Sequence, residues 1–543
     1  MIFSKYPAVI LLAFCIRVLA PAQDQPQLVL GIIVDQMRYD YLYRYWNDYG
    51  DRGFKRLIKE GYIAHDGQYQ YAPTFTGPGH ASVYTGSSPS VHGIIGNSWY
   101  QRSEKKQVNC VGDPNAHTVG AESREGHISP HRLLSTTLGD QMKLATNSRT
   151  KVYSISIKNR GAVLPGGHMA DGAFWYDNSN GKFITSDYYM QTPPTWLTAF
   201  NDTKLVDEYM DGSWETLLPL AEYEESLPDR KTHEKPFPNT ELAQFPYDLR
   251  KIGSTKRFGV GHTPYTLLPS TPFGNNILVD LAKVLIDKEA MGTDSIVDLL
   301  AISFSSTDYV GHQFGSHSVE VQDIYIRLDR LLGEFLDHLD QSIGLKNTLI
   351  FLTADHAAAD EPGYAPPAGY FKGAEFEDSL RRHLINSEGL DVIESMVNQQ
   401  IYFQKNIQLN QTQLEARVRS FALSFPGVHN VISLSDFSSC ISDQDICDKI
   451  REGIMPVRSG DLYIQLHPGW ISESYESGGT THGSSYNYDT HVPIIFFGWK
   501  IHPANDYQRI WIKDITPTIS AMLNISRPSG CTGSPIVDLV EGR

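Results

Sequence analysis

Short apolar runs recur along the chain, each closed by polar or glycine-rich residues. LVLGIIV inside Gln27–Met37, KVYSISIK (Lys151–Lys158), DLLAISFSSTD (Asp298–Asp308), NTLIFLTADH (Asn347–His356) and VPIIFFG (Val492–Gly498) are nearly continuous rather than alternating. That pattern marks strands buried on both faces. Between them the period changes. Tyr39–Gly61 reads as an amphipathic helical stretch, and VEVQDIYIRLDRLLGEFLDHLDQSIG (Val319–Gly344) carries apolar residues at helical spacing. Strand, helix, strand predicts an α/β fold: a large, mainly parallel sheet flanked by helices on both faces. Two regions break the rhythm. Asn159–Thr271 is rich in Tyr, Pro, Gly and Asp, and Glu361–Trp470 holds its own strand and helix set, including the amphipathic stretch Asn410–Phe425. Both are expected to be cap segments, inserted at about 159–271 and 361–470 into one α/β domain spanning 23–543.

The first 22 residues stand apart. Lys5, the apolar stretch Ala8–Ile16 and Ala20-Pro21-Ala22 form the three regions of a secretory signal peptide, too short to span a bilayer. The expectation is an exported protein, periplasmic or secreted, with no transmembrane anchor. Removing that leader leaves 44 basic against 62 acidic side chains. So acidic a surface repels polyanions, so nucleic acid is not an expected partner. Cys110, Cys440, Cys447 and Cys531 remain. In an exported chain an even count suggests disulfides; Cys440 with Cys447 is the easiest pair, and Cys110 with Cys531 is the remainder.

Chemistry collects at the strand ends. Asp35, Asp308 and Asp355 each follow a buried-strand run, and parallel strands bring their C-terminal ends to one edge of the sheet. His312 stands four residues after Asp308, on one side of a helical turn, and His356 adjoins Asp355. His482 lies in GGTTHGSSYNYD, among small residues that permit close approach. Mixed His and Asp ligands favour zinc over the all-oxygen shells of calcium or magnesium. The expectation is one zinc on Asp308, His312 and His482 and a second on Asp35, Asp355 and His356, each with an open position. Such a pair suits in-line phosphoryl displacement. For a nucleophile, YAPTFTGPGHASVYTG (Tyr71–Gly86) offers Thr74, Thr76 or Thr85 near a helix start; local chemistry leaves the three open.

The set VDQMRYDYL, PTFTGPGHASVYTG, HGIIGNSWY, SIKNRGAVLPGGH, TDYVGH, TADH and GTTHGSSYNYDTHVP resembles the alkaline phosphatase superfamily, most closely its single-chain, zinc-dependent PafA-type members. The resemblance covers nearly the whole chain after the leader. It implies an alkaline phosphatase-like fold and two Zn2+ held by Asp35, Asp308, His312, Asp355, His356 and His482; a monomer is the separate expectation for assembly. The resemblance makes Thr76 the nucleophile, contacting metal, and gives Asn97, Lys158 and Arg160 the non-bridging phosphate oxygens. The implied activity is broad-specificity hydrolysis of small-molecule phosphate monoesters through a phosphothreonine. A nucleotide pyrophosphatase/phosphodiesterase shares the frame, but a diester carries one charge fewer, so Lys158 and Arg160 over-supply it. A sulfatase would need a Cys or Ser in a C/S-x-P-x-R context, which is missing near Thr76. A non-catalytic zinc-dependent binder of phosphate compounds is the reading from another class.

Overall fold

The structure, a computed structural model, describes residues 25–542 apart from 232, 239, 254–255, 258–259, 262, 365–366 and 406–407. The expected leader lies outside the described residues. The central sheet has ten strands: β1 (Leu28–Val34), β2 (Tyr62–Gln68), β3 (Thr118–Val119), β4 (Val152–Ser156), β5 (Gly172–Asp177), β6 (Lys182–Ser186), β7 (Asp298–Phe304), β8 (Thr348–Thr353), β9 (Ile494–Gly498) and β10 (Ala504–Trp511). Their order is β10-β2-β9-β8-β1-β7-β4-β5-β6-β3. The middle of the sheet, β8-β1-β7-β4-β5, is parallel. β9 runs antiparallel to both β8 and β2, so the sheet is mixed.

Every residue of β1, β4, β7 and β8 is buried, as their unbroken apolar runs require. Helices that matter below are α1 (Thr76–Thr85), α2 (Asn159–Gly166), α3 (Ser306–Phe314) and α4 (Val319–Ser342). α4 starts at Ser318, whose Oγ accepts from Val321 N at 3.2 Å, and buries Leu328, Leu332, Phe335, Leu336 and Leu339 along one face. Where one long helical stretch was expected across 39–61, two short helices form, Tyr41–Arg44 and Phe54–Glu60. Asp329 of α4 holds the break between them, accepting from Gly50 N and Phe54 N at 2.7 Å each.

β5 and β6 fall inside 159–271 yet extend the central sheet, because their apolar residues, Phe174, Trp175, Phe183 and Ile184, are buried there. The second region, 361–470, holds a sheet of its own. Ile393–Val397, Gln400–Phe403, Val428–Ser433 and Leu462–Leu466 form a separate four-stranded sheet. With the helices Gly373–Glu388 and Gln411–Ala422 it closes a core of its own around Phe376, Leu380, Leu414, Val418 and Ile464. Among the described residues no helix is long and apolar enough to cross a membrane.

Cys440 and Cys447 form the disulfide. Cys110 and Cys531 do not pair; both are free. They sit at opposite ends of α1: Cys110 Sγ lies 3.1 Å from a Cβ placed on Gly77, and Cys531 Sγ 2.8 Å from one placed on Gly86. Nine residues of helix separate those glycines by about 13 Å, far beyond the reach of a disulfide. Thiol titration of the denatured chain lacking the leader should therefore count two cysteines without reductant and four with it. A count of zero without reductant would restore the second bridge.

Candidate active site

β1 lies between β7 and β8, with Val34 opposite Phe304 and Ile33 opposite Thr353. All three strands point the same way, so Asp35, Asp308 and Asp355 arrive at one edge. α3 begins two residues past β7 and carries Asp308 in its first turn. One turn later His312 Nε2 is 3.1 Å from Asp308 Oδ1, and His482 Nε2 is 3.7 Å from the same oxygen. His356 Nε2 stands 3.4 Å from Asp355 Oδ2 and 3.6 Å from Asp35 Oδ1. Potential ligand atoms of Asp308, His312 and His482 all lie within 4.8 Å of one another, and so do those of Asp35, Asp308 and His356. The first trio is the expected one. In the second, Asp308 joins Asp35 and His356, with Asp355 alongside, so Asp308 stands between the two groups.

These residues fit divalent cations. Asp35 Oδ1, Asp355 Oδ2 and His356 Nε2 are buried without a hydrogen-bond partner, an expense that folded proteins accept where something binds. The three histidines turn the same nitrogen away: Nδ1 of His312, His356 and His482 reaches the carbonyls of Thr480 (2.8 Å), Ala357 (3.0 Å) and Thr74 (2.7 Å). A carbonyl can only accept, so Nδ1 carries the proton and each Nε2 lone pair faces inward, the orientation a metal requires. Charge agrees. Burial, then the proximity of Asp308, pushes Asp35 up to about 6. Burial and Asp35 together hold Asp355 well above the usual carboxylate range. Asp308, in spite of burial, is kept well below it by His312 and Lys158.

Of the three candidate hydroxyls only Thr76 faces this edge. Thr74 Oγ1 donates to Ser484 O at 3.3 Å, and Thr85, at the far end of α1, donates to Ala81 O at 2.7 Å. Thr76 opens α1 and accepts from Lys158 Nζ at 3.3 Å. Lys158 Nζ also lies 2.7 Å from Asp35 Oδ2 and 2.5 Å from Asp308 Oδ2. Burial alone would favour its neutral form, but those two carboxylates raise its pKa and keep it charged. Arg160, in the first turn of α2, buries its Nε without a partner. Asn97 Oδ1 accepts from Gly77 N at 2.7 Å, which turns the amide Nδ2 away from the helix backbone. α1 approaches the strand ends closely: a Cβ on Gly79 would sit 2.3 Å from Asp355 O, and one on Gly31 of β1 would sit 2.2 Å from Tyr84 Oη.

Three contributors carried no readable signal in the sequence. Gln36, at φ 63°, donates its backbone N–H to Asp355 Oδ1 (3.1 Å) and Nε2 to Asp308 Oδ1 (2.8 Å). Gly311 makes room for it, since a Cβ there would lie 2.0 Å from Gln36 Oε1. His80, visible only as part of GPGH, bridges Thr76 O and Ser303 Oγ at 2.8 Å each; burial lowers its pKa to about 3, so the ring is neutral. Tyr475 Oη lies 2.9 Å from His312 Nδ1.

The model of the type I phosphodiesterase/nucleotide pyrophosphatase family matches residues 29–489. Alkaline phosphatase PhoV of Synechococcus elongatus is 40% identical over 524 residues, 95% of this chain and 93% of that protein. A protein of Myroides odoratus named a calcium-transporting ATPase is 38% identical, covering 97% of each. Alkaline phosphatase PafA of Elizabethkingia meningoseptica is 40% identical over 96% of this chain and 95% of its own length. A crystal structure of wild-type PafA superposes with a TM-score of 0.91 at 39% identity, covering 95% of this chain and 99% of that one. A PafA variant substituted at a threonine, an asparagine, a lysine and an arginine matches at a TM-score of 0.89 and 38% identity over the same shares.

Proposed function

The chain belongs to the type I phosphodiesterase/nucleotide pyrophosphatase family of the alkaline phosphatase superfamily, and on that premise we propose that it is an exported alkaline phosphatase, a broad-specificity phosphate monoesterase that works through a phosphothreonine at Thr76. The observation that carries this is the Lys158 ammonium 3.3 Å from Thr76 Oγ1, with the charge of Arg160, two residues further along, acting on Lys158. Two cationic side chains at the nucleophile match a dianionic monoester better than a singly charged diester. The relatives PhoV and PafA, named alkaline phosphatases and covered almost end to end, support the same choice, and the substituted threonine, asparagine, lysine and arginine of the PafA variant are the residue types, in the order, of Thr76, Asn97, Lys158 and Arg160.

Two Zn2+, held by Asp35, Asp355 and His356 and by Asp308, His312 and His482, would acidify the Thr76 hydroxyl and offset charge on the departing oxygen. The chain's own residues do the rest. The position of Thr76 at the start of α1 puts its oxygen where the helix dipole favours an anion. Thr76 Oγ1, its proton given up to solvent, bonds to phosphorus as the ester oxygen leaves with its electron pair and takes a proton from water, giving a phosphothreonine and a free alcohol. Water then forms a new P–O bond from the opposite side, Thr76 Oγ1 departs, and inorganic phosphate is released. Arg160 offers a planar fork to two non-bridging oxygens, Lys158 a point charge, and Asn97 an amide donor. The transition state is loose, so catalysis is mostly positioning and electrostatics. Gln36 and His80 are positioning residues, fixing Asp308 with Asp355 and the Thr76 carbonyl respectively.

The diesterase keeps its place as the second reading because the matching family model carries that name. Rates on a matched aryl phosphate monoester and diester, with metal measured on the same preparation, separate the two. The monoester should be turned over faster, chelation should abolish activity, and zinc should restore it better than magnesium. Faster diester hydrolysis, or full activity after chelation, would sink the proposal.

A further inference from the structure

Between the small sheet and the catalytic edge lies a cavity of about 180 Å³. Its inner wall is Phe75, the residue before Thr76, with His482, whose ring centroid stands 5.7 Å from that of Phe75. Its outer wall includes Gln399, in the turn that joins Ile393–Val397 to Gln400–Phe403. Asn398 of that turn donates Nδ2 to Ser98 O at 2.6 Å, pinning the turn over the neighbour of Asn97. A substituent on a phosphate held between Thr76 and Asn97 is therefore within reach of this space.

The lining combines five aromatic rings, one acid, and His467 and His482 as its only basic side chains among the described residues. Phe75, Tyr463, Trp470, Tyr486 and Tyr488 surround it. Two of those rings are fixed by their hydroxyls: Tyr486 Oη donates to Leu466 O at 2.8 Å, and Tyr488 Oη accepts from Gly469 N at 3.0 Å. Asp489, 1% exposed, spends Oδ2 on Gly483 N (3.1 Å) and Ser484 N (2.7 Å) and leaves Oδ1 without a partner. Ser485, 2% exposed, leaves its Oγ unpartnered too. No lysine or arginine is among the described lining residues. Aromatic faces attract cations through their quadrupole, and a buried carboxylate wants a counter-charge. Burial pushes the Asp489 carboxyl up to about 7, against the lowering pull of its hydrogen bonds from Ser484 and Gly483 and of the Arg38 charge. The volume suffices: a cavity of roughly 150 Å³ admits benzene, a group larger than trimethylammonium.

We propose that this cavity receives an alkylammonium group, carried by the leaving group of the phosphate ester, which would make amino-alcohol phosphates a favoured substrate class. The inference rests on the phosphatase reading above. Choline phosphate and its uncharged carbon isostere 3,3-dimethylbutyl phosphate differ only in that charge. The zinc-loaded enzyme should show kcat/KM about tenfold or more higher for the cation, and Asp489→Asn should bring the ratio near one; reading a ratio removes any general loss of activity in the variant. Trp470→Leu should lower it as well. 4-Nitrophenyl phosphate is the control: if it is not hydrolysed, the phosphatase reading fails, and calorimetric binding of free choline still tests the cavity. Choline binding that Asp489→Asn abolishes, without any preference in turnover, would assign the site to a free ammonium compound and overturn the leaving-group role. A ratio of one in the wild type together with no choline binding would overturn the proposal entirely.

Discussion

Thr76→Ala is expected to fold, to take up metal like the wild type and to lose phosphomonoesterase turnover by about 10⁴-fold or more, the scale on which removing a covalent nucleophile acts. Thr76 is 1% exposed, but its hydroxyl accepts only the Lys158 contact and supports no other element. Its loss therefore falls on chemistry rather than on packing. Thr76→Ser, which keeps an oxygen at the start of α1, should recover a large part of the rate, and a phosphorylated peptide containing residue 76 should be trapped by acid quench of the wild type alone. Wild-type turnover by Thr76→Ala would end the assignment.

The second large effect is selective. With both Lys158 and Arg160 replaced by alanine, monoester hydrolysis should fall by about 10³-fold and diester hydrolysis by about tenfold, because each charge-assisted contact weighs more against a dianion. Lys158 lies 2.7 Å from Asp35 and 2.5 Å from Asp308, so its removal also unbalances two buried carboxylates, and metal content must be measured alongside the rates. Equal losses on both ester types would refute the proposed recognition of the extra charge.

Much of this site was legible because its parts sit where strands end. Unbroken apolar runs gave the parallel centre of the sheet, and an aspartate after each of β1, β7 and β8 then had to share an edge. The Asp308 and His312 spacing encoded one helical turn, and α3 supplies it. Long-range contacts left weaker traces. Gln36 looks like any polar residue after a strand; only the space beside Gly311 makes it a brace between two carboxylates. β5 and β6 are short and sit among prolines and tyrosines, so composition hid their place in the sheet. Counting cysteines could not show that α1 stands between Cys110 and Cys531. The cavity beside Phe75 assembles residues from four distant stretches, which no local pattern announces.

The small sheet with its separate interior, built on Phe376, Leu380, Val418 and Ile464, has an evolutionary consequence. Its outward positions can drift, or the module can be exchanged between lineages, while the strands bearing Asp35, Asp308 and Asp355 keep their packing. A change inside that module can thus leave the edge that carries Asp35, Asp308 and Asp355 intact.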